Sequence, residues 1–158
     1  MKSGKIIVLG LAGLLACTVA AGVFAEGGLR AGKLGANLRL DYGMSQDDPI
    51  AQIGLDAEYG LLENLAVGAG FAYVDGRLTQ ESCLELVARG YLLGKPLDVF
   101  AAFALQLSFS GGMGSSGTLR TGVEWQSPWK FFLGAEAAVL FEKAGTGWMG
   151  GAFAGIRL

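Results

Sequence analysis

From Ala51 to Tyr59 apolar residues fall on alternate positions. Ala51, Ile53, Leu55, Ala57 and Tyr59 are separated by Gln52, Gly54, Asp56 and Glu58. After Leu61-Leu62-Glu63-Asn64 the alternation restarts, with Leu65, Val67, Ala69, Phe71 and Tyr73 against Ala66, Gly68, Gly70 and Ala72. A period of two residues marks a strand with one apolar face, and the short polar break at Glu63-Asn64 predicts a hairpin. Each arm has about ten residues, the length a tilted strand needs to cross a bilayer.

Six further stretches follow the same rule. Lys33–Tyr42 places Leu34, Ala36, Leu38, Leu40 and Tyr42 on one face, and Gly43–Pro49 reads as a polar turn. Asp75-Gly76-Arg77 predicts the next turn, before a less regular strand over Leu78–Leu92 with Leu84, Leu86, Ala88 and Leu92 on its apolar face. Leu97–Phe109 alternates strictly, and Gly111–Gly117 reads as a flexible loop. Thr118–Trp125, Trp129–Glu142 and Gly147–Leu158 complete the set, with a turn at Gln126-Ser127-Pro128. That turn predicts Trp125 opposite Trp129, and therefore Glu124 facing Lys130. Eight short strands joined neighbour to neighbour predict an all-β fold, an antiparallel up-and-down β-barrel.

Alternation does not say which face points outward, because a soluble barrel that holds an apolar ligand alternates too. Three features favour apolar-out, hence a transmembrane barrel. Aromatic residues of the apolar face gather at strand ends: Tyr42, Tyr73, Phe109, Phe141 and Trp148 toward one rim, Tyr59, Trp125 and Trp129 toward the other. That is the double girdle of a membrane barrel. Between the girdles the apolar face carries no charge, which at the bilayer midplane would cost about 2–4 kcal/mol. The opposite face mixes small residues with both charge signs, as a narrow self-filled lumen requires. A lumen ion network is expected from Arg39, Asp56, Glu58, Glu81, Glu85, Arg89, Arg120, Glu124, Lys130 and Glu136, with Lys33, Asp41, Asp98, Glu142 and Arg157 also inward.

The remaining chain accommodates a leader and little else. Residues 1–25 read as a signal peptide: Lys2 and Lys5, the apolar run Ile6–Ala16, and Val23-Phe24-Ala25 as a cleavage site before Glu26. The barrel domain is then 26–158. Two alternatives stand beside cleavage: a retained transmembrane anchor, and lipidation of Cys17 at Leu14-Leu15-Ala16-Cys17. After cleavage Cys83 has no intramolecular disulfide partner. The formal net charge of −2 and the lack of a basic patch argue against nucleic acid as a partner.

The whole stretch of about residues 28–158, including the turn Tyr59-Gly60-Leu61-Leu62-Glu63-Asn64-Leu65, resembles the small eight-stranded outer-membrane barrels, the group containing the transmembrane domain of outer membrane protein A and its short relatives. The resemblance implies a monomer in the outer membrane of a Gram-negative-type envelope, with both termini periplasmic. It also implies contact with membrane lipid, lipopolysaccharide and the barrel-assembly machinery. Such barrels usually end in an aromatic residue, and Leu158 departs from that.

Catalytic chemistry finds little support. Histidine is absent, which excludes Ser-His-Asp arrangements. The pairs Asp56 with Glu58 and Glu81 with Glu85 could serve glycosidase-like acid–base work, but satisfaction by lumen cations is the simpler reading. The glycine runs lack the Lys-Ser/Thr and following helix of a phosphate loop, and Asp47-Asp48 alone is a poor cation site. No enzyme activity, cofactor or metal is expected. A structural or interaction barrel, a minor pore for small solutes, and a lipid-anchored soluble barrel for an apolar ligand are the functions left open.

Overall fold

The computed structural model describes residues 31–77, 80–92, 96–109, 114–143 and 145–158. The leader, Cys17 and the cleavage site lie outside the described residues, as does the start of the fourth predicted strand at Leu78. Among the described residues eight strands form: β1 (Leu34–Ser45), β2 (Asp48–Leu62), β3 (Leu65–Gly76), β4 (Gln80–Tyr91), β5 (Leu97–Ser108), β6 (Gly114–Gln126), β7 (Phe131–Phe141) and β8 (Thr146–Arg157). Each pairs antiparallel with its chain neighbour. β1 pairs with β8 from Gly35↔Arg157 to Ser45↔Gly147, closing the barrel. Closure leaves no unpaired strand edge, the condition for backbone to cross a bilayer. The start of β1 and the end of β8 lie at one end of the barrel, here the terminal end; the strand ends at Ser45 and Asp48, Gly76 and Gln80, Ser108 and Gly114, and Phe141 and Thr146 lie at the far end.

The two faces are sorted opposite to a soluble protein. Arg39, Arg89, Arg120, Glu85 and Glu124 are buried, whereas Leu40, Leu55, Phe71 and Leu133 point out and are more than half exposed. A continuous apolar exterior of this kind is a membrane-facing surface. Charges fill the interior where a soluble barrel would seat an apolar ligand.

Three expectations about the connections need correcting. Gly43–Pro49 is mostly strand: β1 and β2 pair out to Ser45↔Asp48 and turn through Gln46 and Asp47 alone. Both have positive φ, 50° and 68°, the paired left-handed conformation whose twist suits a two-residue hairpin. The polar strand residues there, Ser45 and Asp48, stand on the inward rows, and the outward positions beside the turn are Met44 and Pro49, so the stretch lacks the alternation that marks a strand.

Likewise Gly114–Gly117 is not loop but the start of β6, paired with Leu105–Ser108. Phe103 packs over Gly117, 3.5 Å from where a Cβ would sit, and supplies the apolar cover that the glycine lacks.

The β6–β7 register also differs. Trp125 pairs with Leu133 and Glu124 with Gly134. The turn uses four residues, Ser127–Lys130, because Ser127 N–H donates to the Phe131 carbonyl at 2.8 Å and Lys130 takes φ 70°. Trp129 and Lys130 therefore sit in the turn, and the expected Trp125–Trp129 and Glu124–Lys130 pairs do not form.

Candidate functional site

The inward residues stack into three layers that fill the lumen. The middle layer is ionic and is organised by Arg39. Its guanidinium donates from Nε to Asp41 at 2.8 Å, from Nη1 to Asp56 at 2.8 Å and from Nη2 to Glu85 at 2.6 Å. Glu85 is shared, for its other oxygen accepts from Arg120 at 2.7 Å, Gln52 at 3.1 Å and Gln106 at 2.5 Å. Glu136 stands slightly off, 3.6 Å from Arg39 and 3.9 Å from Arg120, so it neutralises without a direct hydrogen bond. A carboxylate buried without a cation would be strongly destabilising, and the forked guanidinium suits several carboxylates at once.

Small residues on adjacent strands make the room. Gly54 lies beside the Arg39 guanidinium, where a Cβ would come within 2.7 Å of Nη2. Gly70 and Gly151 leave the space taken by the Asp56 and Asp41 carboxylates. The run Ala66, Gly68, Gly70, Ala72 on β3 thus serves the long side chains of β1, β2 and β4.

Toward the terminal end the filling is aromatic. Tyr91, Phe100, Phe132 and Phe153 are buried inside, with Phe100 and Phe153 edge-to-face at 5.6 Å. Arg89 lies over Phe100 at 4.6 Å and Phe153 at 5.4 Å and pairs with Glu58 at 2.9 Å. Desolvated cation–π contacts of this kind contribute about 2 kcal/mol each. Below them Arg157 spans Phe132 at 4.8 Å and Glu124 at 3.1 Å, and Gln126 donates to both Asp98 and Glu124. Toward the far end the filling is aliphatic: Ile50, Val74, Ala138, Leu140 and Met149.

Of the residues expected in the network, Arg39, Asp56, Glu58, Glu85, Arg89, Arg120, Glu124 and Glu136 are brought into the lumen. Lys130 is not: it is exposed in the β6–β7 turn, because the left-handed conformation needed there takes it out of the strand. Glu81 stands on the inward row of β4 but half-exposed near its far end, and among the described residues it joins none of the network's ion pairs. Lys33 likewise precedes β1 and is exposed. Glu142, at the far rim, accepts from Ser45 at 2.8 Å.

The outward aromatic residues lie toward the two ends of the barrel. Tyr42, Tyr73, Phe109, Phe141 and Trp148 are toward the far end, Tyr59, Trp125 and Trp129 toward the terminal end. All are exposed except Phe141, which is half-exposed.

The inward phenylalanines were missed in the sequence, since Phe100, Phe132 and Phe153 sit one place off the apolar rows. The available signal was their pairing with glycine. Phe100 crowds Gly122, Phe153 crowds Gly134 and Phe132 crowds Gly155 so closely that a Cβ at any of the three would collide with the ring.

Comparison with solved structures agrees with the architecture. The chain is similar to the N-terminal β-barrel domain of Pseudomonas aeruginosa OprF, with a TM-score of 0.66 and 14% identity over 81% of this chain and 98% of that one. A de novo designed transmembrane β-barrel matches with a TM-score of 0.61 and 12% identity, over 81% and 98% of the two chains. Neisserial surface protein A matches with a TM-score of 0.58 and 14% identity, over 80% and 95%. No family model and no curated protein matches the sequence. At these identities the likeness is one of fold: a closed eight-stranded antiparallel transmembrane β-barrel.

Proposed function

We propose that the protein is a sealed, non-enzymatic barrel of a bacterial outer membrane that serves the envelope by structure or interaction, and does not carry solutes. The observation that carries this reading is the three-layer filling of the lumen. An eight-stranded barrel has an interior just wide enough for its own side chains. Here aromatic rings, arginines with carboxylates, and aliphatic side chains occupy it in turn from the terminal end to the far end. Both charge signs are present at the centre, so no single-sign ring selects an ion. The carboxylates that could have formed a catalytic pair are engaged instead, Asp56 by Arg39 and Glu58 by Arg89.

Outer-membrane residence rests on the likeness to the OprF and Neisserial barrels and on the aromatic rims. Membrane lipid, lipopolysaccharide and the barrel-assembly machinery are then its partners, as a monomer with periplasmic termini. Conductance of the refolded protein in planar bilayers tests the seal. Small, flickering currents are expected from the wild-type protein. A large, steady wild-type channel would overturn the sealed reading in favour of a minor pore. Mass spectrometry of the mature protein should give a chain beginning at Glu26; acyl mass on Cys17 would refute cleavage there.

A further inference from the structure

The terminal end of the barrel holds a cavity of about 530 Å³, within the range of small-molecule sites. Its walls come from both sides of the barrel. Phe132, Gln126 and Arg157 belong to inward rows, whereas Trp125 and Phe131 belong to outward rows. The cavity therefore crosses the lip of the wall, beside the Ser127–Lys130 turn. The exposed rings of Trp125 and Trp129 put that lip at the depth of lipid headgroups.

The lining is mostly apolar, and its charged side chains are all cationic: Lys33, Lys130 and Arg157. Arg157 is already held by Glu124. Among the described residues neither Lys33 nor Lys130 has a carboxylate within ion-pair distance, and no Asp or Glu lines the cavity. Lys130 also holds φ 70°, a conformation that Asn or Gly would take with less strain. Turn geometry alone does not call for a lysine there.

Apolar walls with two lysines at the lip, neither held by an Asp or Glu among the described residues, match a ligand with one hydrocarbon chain and an anionic head. We propose that this cavity binds a singly acylated anionic lipid, a fatty-acid or lysophospholipid anion, with its head on Lys33 and Lys130 and its chain against Trp125, Phe131 and Phe132. A single chain fits the volume, and the opening at headgroup depth gives it a route from the bilayer. The proposal holds whether or not the lumen conducts.

Quenching of tryptophan by brominated lipid in zwitterionic nanodiscs tests it on the full barrel. In a Trp148→Phe protein the signal comes from Trp125 and Trp129; a Trp125→Phe, Trp129→Phe protein reports Trp148 at the other rim and measures free partition. Dibromostearate should quench the first saturably and the second only in proportion to its concentration. A lysophosphatidylglycerol with the same brominated chain, run in parallel, distinguishes carboxylate from phosphate heads by which saturates at lower concentration. Lys33→Gln with Lys130→Asn should weaken saturable quenching roughly tenfold or more, as expected for two cations beside an anion at the membrane surface. Both lysines lie outside the strands, so barrel formation does not depend on them. Equal quenching by dibromostearyl alcohol, equal quenching at both rims, or no loss on replacing the lysines would overturn the site. Displacement by inorganic phosphate as effective as by stearate would overturn the role of the chain.

Discussion

Arg39 is the most consequential side chain in the lumen, and Arg39→Met puts a number on it. Methionine keeps most of the side-chain volume but removes the cation shared by Asp41, Asp56 and Glu85 at 2.6–2.8 Å. All four side chains are within 2% of complete burial. Arg120 still faces Glu85 and Glu136, but among the described residues Asp41 and Asp56 lose the cation they pair with. Removing one partner of a buried ion pair destabilises by about 3–5 kcal/mol, chiefly through the charge left behind. We expect a loss in that range for Arg39→Met, read from urea unfolding in micelles by tryptophan fluorescence, with the slope m checked for constancy. Arg157→Met is the internal control. It breaks one pair, to Glu124, which keeps its bond from the Gln126 amide, and should cost clearly less than Arg39→Met, which strands two carboxylates. Pairing Arg39→Met with Asp56→Asn should fall short of additivity by about 1–3 kcal/mol, because the second change removes a charge that the first stranded. If Arg39→Met costs no more than Arg157→Met, the middle layer is wet and the ion-pair account of the seal fails.

Three further substitutions separate the inside from the outside. Gly134→Ala would drive a methyl group into the Phe153 ring and within 2.6 Å of the Val123 carbonyl oxygen, and should cost about 1–3 kcal/mol in the same assay. Gly150→Ala, whose Cβ would meet only the Glu136 carbonyl at 3.7 Å, should stay within about 0.5 kcal/mol of wild type. Leu55, mid-strand and 62% exposed, faces lipid, so Leu55→Arg should lower stability in bilayers by about 2–4 kcal/mol. An unchanged Leu55→Arg barrel would mean that this face does not lie at the membrane midplane.

Strand number, pairing order and facing were legible because each rests on a local regularity. The period of two residues assigns every side chain to a face, and short connections force neighbouring strands to pair. Where the regularity failed, the cause was again physical. At the far ends of β1, β2 and β6 glycine, proline and serine interrupt the apolar alternation, so these segments resemble loop. The register between β6 and β7 depends on turn geometry: one left-handed residue, Lys130, lengthens the turn and moves both Trp129 and Lys130 off the strand. In the lumen, residue type showed which charges face inward but not how they meet. That Glu85 is shared by Arg39 and Arg120 follows from side chains on β1, β4 and β6 reaching across the bore, and pairwise spacing along the chain holds no trace of it.

The layering makes a further prediction about how the bore is closed. The ionic layer alone is a poor barrier, since wetted arginines and carboxylates can exchange partners and let small ions slip between them. Apolar constrictions seal differently, by excluding water. The aliphatic cluster of Ile50, Val74, Leu140 and Met149 and the aromatic cluster of Phe100, Phe132 and Phe153 lie on opposite sides of the ions. They act as barriers in series, and the higher of the two sets the current. Met149→Ala should therefore change conductance little, because the aromatic layer still excludes water. Phe153→Ala should likewise change it little, because the aliphatic layer remains. The double variant should conduct far more than the sum of the two. Single-channel recording in planar bilayers measures this directly. The truncations cost about 2–5 kcal/mol each, so folded insertion of each variant is checked alongside by its tryptophan emission. A full rise in current from Phe153→Ala alone would show that the aliphatic end is open to water and that the aromatic layer is the whole seal.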